Sequence, residues 1–179
     1  MVHPNTERLT EYWRGKAGGY PAPTRAAIDP MEFVELLPQT IIVGRRDAGD
    51  LPFRLIGGLV ADLHDRDLRG ANLLGLWAPH NRAAIRLALE QIRRRPEPLV
   101  VTAEMIAEGV APLGLEVLLA PLVGPSGEID RFLGLYQPLG LTARLMRRPV
   151  TELRLKHLSR SGEEGPRLRL AALDGRQIA

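Results

Sequence analysis

Residues 53–77 read FRLIGGLVADLHDRDLRGANLLGLW, and the changes of pattern within them set the reading of the whole chain. Phe53 to Ile56 has the length and apolar content of a strand, and Gly57-Gly58 breaks it. Leu59 and Leu63 lie four apart, on one helical face, and a charged turn follows that Gly70 closes. A strand that feeds short helices in this way encloses a small hollow.

Working upstream, Thr40 to Arg45 (TIIVGR) is β-branched, and Asp47-Ala48-Gly49-Asp50 is a turn. Together with Phe53–Ile56 they predict an antiparallel hairpin. Ahead of it, Asp29-Pro30-Met31-Glu32 carries a cap, a proline at the first helical position and an acid that reaches back, which predicts a short helix through Leu37, stopped by Pro38. The segment GGYPAPT (18–24) is linker chemistry. The first helix is expected over Thr6–Arg14, with Asn5 as N-cap, Gly15 as stop, and Leu9, Tyr12 and Trp13 on one apolar face.

Downstream, Ile85, Ala88, Leu89 and Ile92 keep helical spacing, so a helix is expected from Ala78 to Arg95, ended by Pro96. Three strand-like runs follow. Leu99, Val101, Ala103 and Met105 alternate against Thr102 and Glu104, and Leu113, Leu115, Val117 and Leu119 against Gly114 and Glu116. Arg131–Tyr136 is the third, after a Gly124-Pro125-Ser126-Gly127 turn, and in it Leu133 and Leu135 face opposite to Phe132 and Tyr136. Beyond it, 141–148 has the pattern of a short amphipathic helix and Thr151–Leu158 that of a strand; Leu168, Leu170 and Leu173 come after a Ser159–Pro166 linker.

The expected architecture is therefore α+β: a five-stranded antiparallel sheet with helices packed on one side. The chain divides into an N-terminal helical extension (1–38), a sheet-forming domain (39–140) and a basic C-terminal tail (141–179). The order helix, helix, two strands, helical block, three strands is that of the PAS fold. At residue level the chain resembles a family of short, single-domain bacterial PAS-like proteins. The matching pieces are PTRAAIDP (23–30), Leu36-Leu37-Pro38, FRLIG (53–57) and Asp67-Leu68-Arg69-Gly70. Gly58 departs from the pattern, which usually has a small hydroxyl residue there. The resemblance implies a sensory module that binds a small molecule or a signalling protein, and it names no ligand.

Composition narrows the chemistry. The 179 residues contain no cysteine, which removes disulfides, thiolate metal sites, cysteine nucleophiles and cysteinyl-flavin adducts. With 45% apolar and 25% charged residues the chain folds. It has neither a long apolar run nor a signal-peptide pattern, so a cytoplasmic protein without membrane contact is expected. The net charge is +3, with only Lys16 and Lys156 as lysines. Arginines gather at 93–95, at 147–148 and from Arg154 to Arg169, but 4% aromatic residues make a poor base-stacking platform.

No GxSxG, HExxH or P-loop pattern occurs, so no enzyme is expected. Candidate ligand contacts are Arg54, an arginine within an apolar strand; Trp77, at the end of an apolar run; His80; and Tyr136. His64 and His80 could each ligate haem, but both stand in polar stretches that read as exposed. No metal site and no identified cofactor follow. The leading expectation is a sensory or regulatory module that dimerises through Leu9, Tyr12 and Trp13. The alternative is a basic adaptor that binds nucleic acid through its arginine clusters.

Overall fold

The hairpin forms where the sequence places it: Thr40–Gly44 (β1) pairs antiparallel with Phe53–Ile56 (β2), with Ile41 opposite Ile56. A computed structural model describes the chain over residues 1–160. Leu168, Leu170, Leu173 and the arginines from Arg167 onward lie outside the described residues. The remaining strands are Leu99–Ala107 (β3), Leu113–Val123 (β4), Ile129–Pro138 (β5) and Val150–Arg160 (β6). The sheet order is β2-β1-β5-β4-β3-β6, antiparallel throughout.

The sheet thus has six strands where five are expected. The extra one is the alternating run in the tail. It pairs with β3 along the full length of that strand, from Ala107 opposite Val150 to Leu99 opposite Arg160. Residues 142–145 form only a 3-10 turn between β5 and β6, not the amphipathic helix expected over 141–148.

Alternation sends successive side chains to opposite faces of a strand, and both faces are buried. On one, Val101, Met105, Val117, Phe132 and Tyr136 pack against the helices Gly58–His64 (α2) and Arg82–Arg94 (α3) through Val60, Leu63, Ile85, Leu89 and Ile92. Phe53 and Trp77 fill the space between. On the other, Leu118, Ala120, Leu122, Leu133 and Leu135 meet Leu9, Trp13, Phe33 and Leu36 of the N-terminal extension.

The first helix (α1) is longer than the capping signals suggest, Pro4–Ala17 rather than 6–14. Its start moves back because the carboxylate of Glu116, itself buried on β4, accepts the His3 backbone N–H at 3.0 Å, and the His3 side chain accepts from Asn5 N. Gly15 stays helical, and Gly18 supplies the left-handed residue that ends α1 (φ 58°). The cap on the second segment does form: Asp29 Oδ1 accepts from Met31 N at 2.9 Å, opening a 3-10 stretch over Pro30–Gln39.

Trp13 fixes α1 to the sheet. Its Nε1 donates to the Pro121 carbonyl at 2.7 Å, at a point where pairing between β3 and β4 has ended at Leu119, so that proline is tolerated in a central strand. Trp13→Phe keeps the ring but leaves that carbonyl buried without a donor. We expect a loss of about 1–3 kcal/mol, read as a lower urea midpoint at unchanged slope.

Candidate functional site

Helix α2 is short because its two ends are fixed by backbone rather than by side chains. Gly57 is its N-cap with no side-chain bond, and Asp65 leaves it in the left-handed conformation (φ 47°). His64, the last residue of α2, stands four after Val60 and so on the same inward face as Val60 and Leu63. The side chain lies in the interior, 3% exposed, against the expectation of an exposed histidine. The polar letters around it mislead, since Asp62, Asp65 and Arg66 face solvent while Leu63 and His64 turn inward.

Both ring nitrogens of His64 are engaged. Nδ1 lies 3.0 Å from the Val150 carbonyl and Nε2 lies 3.0 Å from the Tyr136 hydroxyl. A carbonyl can only accept, so Nδ1 carries the proton and Nε2 accepts from Tyr136 O–H. The Tyr136 ring stands edge-on to the imidazole, centroids 5.8 Å apart. The chain Tyr136–His64–Val150 thereby ties β5, α2 and the first residue of β6 together. Burial pushes the His64 pKa down to about 4; the Val150 bond opposes this and the Arg66 charge adds to it. Burial also raises the Tyr136 phenol above its ordinary value. With no free ring nitrogen, His64 is not poised as a haem ligand.

Above this chain a cleft of about 750 Å³ opens between α2 and residues 142–148. Leu59, Leu63 and Leu145 line its apolar part; Asp62 and Asp65 stand on one wall, Arg147 and Arg148 on the other.

The expected ligand contacts do not converge. Trp77 and Tyr136 are both in the core, 1% and 2% exposed. Arg54 is on the exposed face of β2, its side chain running across Gly44, so it needs no buried counter-charge. His80 is exposed in a short turn before α3. The face expected to take a partner is used within the chain: Leu9 and Trp13 are buried against the sheet. Tyr12, half-buried, stacks edge-on with Phe33 at 5.0 Å and accepts a hydrogen bond from Asp29 N at 2.8 Å. Among the described residues, the buried side-chain polar atoms without a partner are Thr6 Oγ1, Gln39 Oε1 and Trp77 Nε1.

Several of the basic residues are neutralised within the chain. Arg93 and Arg45 share Glu90, Arg154 pairs with Glu152, Lys156 with Glu104 and Arg160 with Glu97. Among the described residues no group of three or more His, Cys, Asp or Glu could hold a metal ion, and no helix is long and apolar enough to cross a membrane.

No curated protein sequence matches the chain. Among solved structures it is similar to the dark state of the blue-light photoreceptor Aureochrome1 LOV (TM-score 0.48, 13% identity, covering 66% of this chain and 88% of that one). It is also similar to the Rhodobacter sphaeroides LOV protein (0.46, 17% identity, 65% and 73%) and to an RNA-binding Light-Oxygen-Voltage receptor (0.48, 18% identity, 70% and 38%). A family model described as PAS domain matches residues 1–137, taking in the N-terminal extension as well as five strands of the sheet. The chain belongs to the PAS domain family, a family of sensory modules.

Proposed function

We propose that this PAS domain is a cytoplasmic regulatory sensor, one that binds a small molecule or a partner protein and carries out no chemistry of its own. The observation that supports this most is the Tyr136–His64–Val150 chain. It joins three elements through one buried imidazole, so an occupant that moves α2 or the start of β6 must also disturb the polar contact in the core. Trp77 adds a second handle. Its Nε1–H is buried in the core without an acceptor, an arrangement that costs about 1–3 kcal/mol and that an acceptor on a ligand reaching the core would relieve.

The native mass spectrum of the purified protein should show either a retained small molecule or a bound partner. The two indole N–H signals make a second readout, because Trp13 is already bonded to Pro121 and Trp77 is not. On binding, the Trp77 signal is expected to move downfield while that of Trp13 stays. A bare-chain mass, together with no change in melting temperature or indole signals across a saturating metabolite screen and an empty partner pull-down, sinks the reading.

A further inference from the structure

The crossing from β5 to β6 differs from the rest of the surface. Between Asp130 and Glu152 the sequence contains no acidic residue. Arg144, Arg147 and Arg148 are all exposed there. None of them has an ion-pair partner among the described residues, whereas the neighbouring cations of β6 are matched to Glu152, Glu104 and Glu97. The same crossing exposes Leu139 (43%), Leu141 (78%) and Met146 (71%). Apolar side chains left in water beside unneutralised cations describe a surface that is complete only when something covers it.

The backbone gives the same indication. Among the described residues the non-glycine positions with positive φ are Asp65 (47°), Met146 (52°) and Arg147 (58°), and all three line the cleft between α2 and the crossing. L side chains rarely adopt this conformation, and it is strained wherever they do. Here the turn holds Met146 outward, above the apolar floor of Leu59, Leu63 and Leu145, with Arg147 and Arg148 on the rim.

We propose that this crossing is the docking site for a partner protein, through an acidic segment that carries an apolar anchor. The anchor seats on Leu59, Leu63, Leu145 and Met146, and the carboxylates pair with Arg144, Arg147 and Arg148. Asp62 and Asp65 on the opposite rim repel an acidic chain, so they fix the direction in which it lies. The proposal deepens the sensor reading and rests on it. Leu145 is buried beneath the cleft, and five residues later the Val150 carbonyl accepts from His64, so a docked segment bears on the buried chain.

The test uses a fluorescent synthetic peptide of Glu and Leu and its Lys and Leu counterpart, followed by anisotropy against the full chain. The acidic peptide should bind and the basic one should not. The triple variant Arg144→Glu, Arg147→Glu, Arg148→Glu should weaken binding by roughly tenfold or more, about 1.4 kcal/mol per decade. The paired change Leu141→Ser, Met146→Ser should weaken it at unchanged charge. Arg94→Glu, Arg95→Glu, at the end of α3, should leave it alone. All these side chains are exposed, and unchanged melting temperatures check that the variants fold. Equal loss in the α3 control overturns the proposal in favour of net charge. So does binding to phosphatidylglycerol vesicles in place of the peptide, which makes the occupant a lipid surface, or self-association that the triple variant abolishes, which makes it a second copy. The Trp77 indole readout uses none of these arginines, so failure here and failure of the sensor reading are told apart.

Discussion

Gly57→Ala is expected to unfold this domain under conditions in which Gly58→Ala leaves it intact. The two glycines are adjacent, yet a methyl group meets opposite surroundings at each. At Gly57 it would overlap the carbonyl oxygens of Leu37 and Pro38, which are backbone and cannot swing aside. The Gly57 N–H is meanwhile held by the Thr40 carbonyl at 2.8 Å. Relief would require moving the end of the 3-10 segment away from α2, at a cost of roughly 3 kcal/mol. At Gly58 nothing lies within 4 Å of the added carbon, and the residue is the first of α2. Alanine there restricts only the unfolded chain and should add about 0.5–1 kcal/mol. Urea denaturation of the two variants reads both effects, and equal midpoints for them would show that the approach of residues 37–38 is not what Gly57 serves.

The second large effect is acid sensitivity. Buried neutral with a pKa of about 4, His64 titrates near 6.5 in the unfolded chain. Between these values the unfolded state binds the extra proton, so stability is fully present above about pH 6.5 and falls as the pH drops toward 4. The full difference is about 3 kcal/mol. The cause is visible in the donors. When His64 is charged, both nitrogens donate, the Tyr136 hydroxyl must turn its proton away, and that proton then has no acceptor at a buried site. Carboxylates such as Glu90, held low by Arg45 and Arg93 against its burial, also lose stability in acid, so the decisive quantity is a difference. Unfolding curves of the wild type and of His64→Gln should diverge most at pH 7 and converge as the pH approaches 4. Parallel curves over that range would mean that His64 is not buried neutral.

How far the sequence could be read depended on whether a signal was local. The hairpin, the inward set Leu99, Val101, Ala103 and Met105, and the Asp29 cap rest on periodicity and turn chemistry within a few residues. All of them form as expected. The start of α1 was hidden because its N-cap, His3, is held in place by Glu116, more than a hundred residues away in the chain. The sixth strand was legible only as alternation, and alternation does not say which edge will accept it. His64 was misread for a physical reason: a turn's hydrophilic letters describe the average of its residues, whereas His64 is still helical and stands four after Val60, on the face that Val60 and Leu63 bury. Arg54 and His80 stayed on the surface because nothing in a strand or turn pattern brings two side chains to one place. Only packing does that.

The position of β6 also has a consequence for synthesis. The helical block between β2 and β3 emerges early, but several of its polar groups find their partners on β6: His64 Nδ1 at the Val150 carbonyl, Ala78 N at the Leu153 carbonyl, and Asn81 Oδ1 at Leu155 N. Until that strand has left the ribosome, those donors and acceptors and the edge of β3 lack the partners they have in the complete domain. One strand, made after the rest of the sheet, thus supplies both the last edge of the sheet and these contacts of the layer above it.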